Sequence, residues 1–455
     1  MFADLPPHHE VFILGAGFSR ALSARMPLTD ELGNACLALN DLQGAHGVPA
    51  EFTGGRFETW LSSIAEPQPY LPEPSNLENQ VLFVKFSDAI GKVLGLRMHE
   101  VLSEAPPTWH VKFVAAAHVR RATVITFNYD TLVECAIDYR RIWLPGLPEP
   151  VAWTEVTGNV PGWPAGANRV GASPVETFRL LKLHGSLNWF WTPGDMTGLS
   201  VARRQLPGTF TAPQPYTEDD RCRQLPARVP FVVPPSATKS SYYQNRLVRE
   251  LWIQAGEALE AASHVSLVGY SLPLTDLTVS NMLTRTLGGA EVFVHVADLD
   301  PEPIAGRLGA LGVAATSAPG GPSAAEEHVT SYCQAISREL VADLRGSPPA
   351  LVDQPILIAW GADQFSAVVS FRVTASAVLL MVEPAQVLDV VVAPRPLPLP
   401  TLRQVLAVAP TDGHFLAEVP DRPVTELLAR GETVTDWGYG VGRWNVMLPS
   451  TDYPA

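Results

Sequence analysis

Cysteine is nearly absent from this chain. Its 455 residues include four, Cys36, Cys135, Cys222 and Cys333, and no two stand at C-x-x-C spacing. A four-cysteine zinc module is thereby excluded as a local unit. So few thiols in so long a chain fit a reducing cytoplasm better than a disulfide framework. Charge is scarce as well, at 17% Asp, Glu, Lys and Arg against roughly 25% in an average soluble protein. Acids outnumber bases, 46 to 32, for a formal net charge of −14. Proteins that coat nucleic acid neutralise its phosphates with Lys and Arg, so extensive direct nucleic-acid binding is not expected. The opening MFADLPPHHEVFILGAG has no basic residue ahead of its apolar run, unlike a secretory signal. The strongest late apolar run, Ala377 to Val382, is cut by Glu383 and Pro384 and is too short to span a bilayer. These absences point to a globular cytoplasmic protein without a membrane contact.

Proline, by contrast, is abundant, at 42 residues, about twice the usual ~5%. It predicts many rigid connections, and 46% apolar residues supply a sizeable core. Along the chain, short apolar runs alternate with helical patterns. VFILG (Val11–Gly15), ATVITFNYD (Ala122–Asp130), HVSLVGYSLP (His264–Pro273) and AEVFVHVADLD (Ala290–Asp300) read as buried strands, and RLLKLHGSLNWFW (Arg179–Trp191) holds another. Residues from about 40 to 120 read as a helical insertion with Pro-rich breaks such as Pro67–Pro74, and Gln80–Leu102 repeats apolar residues at helical spacing. Further helices are expected at Arg246–Ala262 and His328–Leu344. Alternation of this kind predicts an α/β fold, a Rossmann-like parallel sheet with helical insertions. It occupies residues 1–345. After Gly346–Pro349 the pattern turns to short alternating strands, which predicts a C-terminal β-rich domain over 350–455.

Polar motifs cluster at the strand ends, where open parallel sheets bind ligands. GAGFS (Gly15–Ser19) stands at a strand-to-helix turn that suits a pyrophosphate, although Arg20 replaces the third glycine of a full fingerprint. A tight turn in any α/β protein has the same appearance. TFNYD ends the second strand. Strand alternation would send Asn128 and Asp130 to one face and Tyr129 to the other, while Asp130 also suits a helix cap. LKLHGS places His184 just past a strand, and a neutral imidazole there suits general-base work. GYSLP, followed by Asp276, offers Gly269 for close backbone approach and Ser271 for a phosphate or ribose. VADLD puts Asp298 where a carboxylate suits a ribose hydroxyl.

The order GAGFS, TFNYD, LKLHGS, VPPSATKS, VGYSLPLTD resembles the sirtuin-like superfamily over residues 8–345. More narrowly it resembles bacterial sirtuin-like proteins of anti-phage defence that deplete NAD. The resemblance implies a Rossmann-like NAD-binding fold. Gly15, Ala16, Gly17, Phe18 and Ser19 correspond to the family's glycine loop, and Pro27 survives from the stretch that follows it. Asn128 corresponds to the catalytic Asn, with Asp130 as the trailing acid. His184 corresponds to the catalytic His, and Gly269, Tyr270 and Ser271 to the Gly-Thr-Ser motif. Deacylating relatives carry zinc on two C-x-x-C pairs and a G-I-P-D-F-R stretch. This chain lacks the pairs and reads RMPLTDEL instead. The resemblance therefore implies NAD hydrolysis without zinc, in a triggered effector that is a homo-oligomer or has a partner defence protein or phage-derived trigger. The alternatives are a non-catalytic NAD-sensing module and an NAD-dependent deacylase.

Overall fold

A computed structural model describes residues 9–39, 42, 47–139, 153–157, 177–214, 228–237, 239–317 and 328–336, and the backbone of six strands beyond residue 354. The chain forms two compact units. The first comprises Met1–Ala105, Arg121–Leu132 and Thr157–Thr330; the second comprises Pro106–Arg120, Val133–Val156 and Ser331–Ala455.

The first unit is built on a six-stranded sheet. Its strands are β1 (His9–Leu14), β2 (Thr123–Thr126), β3 (Arg179–Lys182), β9 (Ala262–Val268), β10 (Phe293–Ala297) and β11 (Ala315–Ser317). Their order is β11-β10-β9-β1-β2-β3, and every neighbouring pair is parallel. From β1 the chain steps outward through β2 to β3, then returns to the other side of β1 and steps outward again. The direction reverses between β1 and β9. This is the doubly wound topology of Rossmann-like α/β folds, in which ligands bind beyond the strand ends at the reversal.

Strand β1 forms where the sequence has no polar residue to spare. Val11, Phe12, Ile13 and Leu14 are all at most 1% exposed, as expected of a strand covered on both faces. Val11 and Ile13 share a core cluster with Ile125, Leu181, Val265 and Leu267 from the neighbouring strands. The same cluster takes Val248, Leu251 and Ala255 from the helix Arg246–Glu260 and Val279 and Leu283 from the helix Leu277–Leu287.

The insertion is helical, as its periodicity predicted. After α1 (Ala16–Leu22) come α2 (Thr29–Leu37), α3 (Arg56–Ala65) and the 30-residue α4 (Glu73–Leu102). Helix α4 starts earlier than Gln80 because Pro74 lies in its first turn, where a missing N–H costs no helix bond.

One strand expectation needs correction. Arg179–Trp191 holds two strands where one was expected, and His184 stands just past the first of them, as expected. Strand β3 ends at Lys182, and β4 (Gly185–Trp191) leaves the parallel sheet to join β5 (Ala202–Arg203) and β8 (Val229–Val232) in an antiparallel one. Gly185 makes the break, with φ of +82° and so little room that a Cβ there would lie 2.0 Å from the Phe231 carbonyl oxygen. A short hairpin, β6 (Gly208–Thr209) with β7 (Ala212–Pro213), completes the unit's strands.

In the second unit the helix Thr108–Val119 buries Val111, Phe113 and Val114, and Cys333 and Ile336 are buried in the helical residues 328–336. Farther on, β12 (Pro355–Trp360), β13 (Phe365–Val373), β14 (Val378–Pro384) and β15 (Leu397–Pro398) pair in antiparallel order, and β16 (Asp436–Gly440) pairs with β17 (Arg443–Met447). Of the helix expected at His328–Leu344, residues 337–344 lie outside the described residues. No helix among the described residues is long and apolar enough to cross a membrane.

Candidate active site

A cleft of about 500 Å³ opens at the strand ends where the winding reverses. Gly15, Ala16, Gly17, Ser19, Pro27, Asn128, Asp130, His184, Gly269, Tyr270, Ser271 and Asp298 all line it. They come from the ends of five elements far apart in sequence. Of the residues expected to bind substrate, Phe18 is the exception. Its side chain is 1% exposed in the core, and its N–H donates to the Gly15 carbonyl at 3.0 Å.

The glycines have a packing role in the turn itself. The Gly17 N–H donates to the Gly269 carbonyl at 2.9 Å, and the Gly15 N–H to the Val268 carbonyl at 3.3 Å. The turns after β1 and β9 therefore pack main chain against main chain. A Cβ on Gly15 would lie 2.6 Å from the Gly269 oxygen, and one on Gly269, where φ is +62°, would lie 2.1 Å from the Phe18 nitrogen. The amides of Gly15, Gly17 and Phe18 are thus committed within the protein. The Ala16 N–H remains to face a ligand.

Asn128 reaches across to the same turn. Its amide nitrogen donates to the Gly15 carbonyl at 2.7 Å and to Ser19 Oγ at 2.9 Å. Because Gly15 can only accept there, the side-chain orientation is fixed, and the Asn128 amide oxygen is the group left for a ligand. Ser19 Oγ donates in turn to Asp130 Oδ2 at 2.6 Å, and Asp130 Oδ1 accepts from the Leu132 N–H at 3.2 Å. Asp130 is therefore both the cap its position predicted and the anchor of Ser19 and Asn128. Strand alternation does not produce this convergence, since β2 ends at Thr126. The following loop does, held by the Phe127 N–H on the Leu14 carbonyl and the Leu187 N–H on the Tyr129 carbonyl. Lys182 adds a bond from its ammonium to the Asp130 backbone carbonyl.

His184 occupies the turn between β3 and β4, 4% exposed. Its ring lies 4.9 Å from that of Phe127, and its Nε2 is 3.3 Å from the Tyr243 hydroxyl. Burial, reinforced by the Lys239 ammonium and opposed by the Asp276 carboxylate, pushes the imidazole down to about 3. It is neutral at any physiological pH.

The sequence reading missed residues as deep in the cleft as those it found. Lys239 and Asp276 form a buried ion pair, and Asp276 Oδ2 accepts from the Tyr270 hydroxyl at 3.0 Å. Burial works against ionisation of Asp276, and its electrostatic interaction with His184, then the Lys239 charge and these hydrogen bonds, hold it below the usual range nonetheless. Glu58 enters the cleft from α3 and is raised by burial. Burial likewise raises Asp298. Lys239 stood in the VPPSATKS motif and Asp276 after GYSLP. Neither neighbourhood reveals a pair made across 37 residues.

No protein-family model matches this chain, and no curated protein matches it.

Proposed function

We propose that the cleft binds NAD and that the protein cleaves its nicotinamide–ribose bond with water. The observation that carries this reading is the meeting of the Asn128 amide oxygen and the neutral His184 imidazole in one cleft at the reversal of a doubly wound sheet. The ordered motifs shared with the sirtuin-like superfamily support it. In the reaction the C1′–N1 bond breaks and its electron pair stays on the nicotinamide nitrogen, which loses its positive charge. A water oxygen bonds to C1′ as the oxocarbenium-like centre collapses, and one proton is released. The Asn128 oxygen accepts a hydrogen bond from that water or from a ribose hydroxyl. His184 Nε2 takes the proton once Tyr243 gives way. Asp130 and Ser19 hold Asn128 in place, and the turn at Gly15–Gly17 forms the wall along the dinucleotide.

The test is release of free nicotinamide from NAD. A positioned base is worth about 10²–10⁴-fold, so His184→Ala loses turnover by that factor while remaining folded. Wild-type rates in the purified variant would remove His184 from the mechanism. In the same reading the protein is a triggered effector that depletes NAD in anti-phage defence within the cytoplasm. The β-rich residues 350–455 then form a sensing or oligomerisation domain.

One observation favours a second reading, a module that binds NAD without turnover. His184 Nε2 already contacts Tyr243, and a value near 3 lies far from that of an efficient base at neutral pH. Tight NAD binding with no nicotinamide released would select it.

A further inference from the structure

Asp276 stands at the N-cap of the helix Leu277–Leu287, yet its side chain caps nothing. An aspartate in that place usually accepts from the second or third helical N–H and so stabilises the helix. Here the carboxylate turns away from the helix and into the cleft, where it meets Lys239 and Tyr270. Both members of the ion pair are almost fully buried, at 4% and 6% exposure. A buried pair is weak support for a fold, because desolvation offsets most of its attraction. This pair has given up a helix cap to sit in a ligand cleft.

The valences left over define what the pair can recognise. The Lys239 ammonium has three N–H donors, and one goes to Asp276. The carboxylate has about four acceptor positions, and Lys239 and Tyr270 take two. A spare donor therefore lies beside a spare acceptor, the complement of a primary carboxamide. The walls suit a flat ring. Tyr270 and Phe127 stack with centroids 4.6 Å apart and planes 29° from parallel, and Tyr129 lines the same space.

We propose that Lys239 and Asp276 read the carboxamide of the nicotinamide ring, Lys239 donating to its oxygen and Asp276 accepting from its nitrogen. This rests on the NAD-binding reading above. It makes the pair a specificity element, since a nicotinic acid ring would bring a carboxylate against Asp276 with no N–H to offer.

The experiment compares NAD with nicotinic acid adenine dinucleotide on the full-length protein, as the ratio of their kcat/KM values. A ratio cancels any change in the folded fraction of a variant. Wild type favours NAD. Asp276→Asn is isosteric and offers an N–H to either ring, so it shifts the ratio toward the acid by about ten- to a hundredfold, the scale of a charged hydrogen bond. Lys239→Met weakens both substrates, and Lys239→Arg restores part of the loss. A ratio within twofold of wild type in Asp276→Asn, with NAD still cleaved, overturns the assignment.

If wild type cleaves neither dinucleotide, the hydrolase reading has failed on its own. The carboxamide site is then judged by calorimetric titration with nicotinamide and nicotinic acid. Binding of nicotinamide that weakens about tenfold in Asp276→Asn upholds the site, and equal or absent binding in wild type and variant overturns it.

Discussion

Acidification from pH 7 to pH 5 acts on this fold in part through His184 and His9, two of its buried histidines. His184 is held down to about 3, first by burial and then by the Lys239 charge. His9 is held down to about 4, first by burial and then by the Arg179 charge, with its Nε2 2.9 Å from Thr123 Oγ1. In the unfolded chain both titrate near 6.5. As the pH falls below that value the unfolded state takes up a proton at each site and the folded state does not. Stability is therefore fully present above the unfolded pKa and is lost as the pH falls toward the folded ones. Each histidine contributes a slope of at most about 1.4 kcal/mol per pH unit, and the two together about 3. From pH 6 to pH 5 that is a sizeable part of the 5–15 kcal/mol typical of a whole domain. The buried carboxyls of Glu58 and Asp298 are raised and act in the opposite sense, so the useful quantity is a difference between variants. Urea denaturation at pH 7, 6 and 5 provides it, followed by fluorescence of the buried Trp189 and Trp191. His184→Gln should lose about half of the slope that the two histidines supply. A His184→Gln protein with the wild-type slope, or a His184 ring resonance titrating near 6, would refute the assignment of a dry, neutral imidazole.

Other outcomes follow from the same geometry. Gly269→Ala combines a left-handed backbone with a Cβ 2.1 Å from the Phe18 nitrogen and should cost about 2–4 kcal/mol, read from the urea midpoint. A smaller loss would mean the two turns separate easily. Removing residues 350–455 should change the size in solution or the response of NAD cleavage to a trigger. Unchanged mass by light scattering, basal rate and activation would discard the sensing role.

Much of the sheet was legible because a buried parallel strand leaves a plain trace. VFILG has no polar interruption and VITF only Thr126, and their alternation with helical spacing gave the α/β class. The order β11-β10-β9-β1-β2-β3 was not legible, because β1 pairs on both sides with strands more than a hundred residues away. The candidate residues at the strand ends were found by position, yet one reason given for them was wrong. Asn128 and Asp130 converge through a loop rather than through strand alternation. Gly15 and Gly17 must also be small because Gly269 and Tyr270 pack against them. His184 was found by its place just past a strand, but the second strand that begins at Gly185 was missed. It depends on the Phe231 backbone, 46 residues downstream. Lys239, Asp276 and Glu58 stayed hidden for a related reason. A salt bridge or a buried carboxyl has no local sequence pattern, whereas a strand does.

The contact between the Gly17 and Gly269 turns has a consequence for how this cleft can change over evolutionary time. One wall of it is main chain from two strands, packed so closely that a single methyl group would have to displace backbone. That wall offers almost no side chains to vary, and most substitutions in it would be lost with the fold. Any drift in substrate preference must therefore be written on the other lining residues, Pro27 to Leu32, Glu58 and the Asp298–Leu299 corner among them. Proteins sharing this architecture should keep the glycine wall nearly constant while that margin diverges.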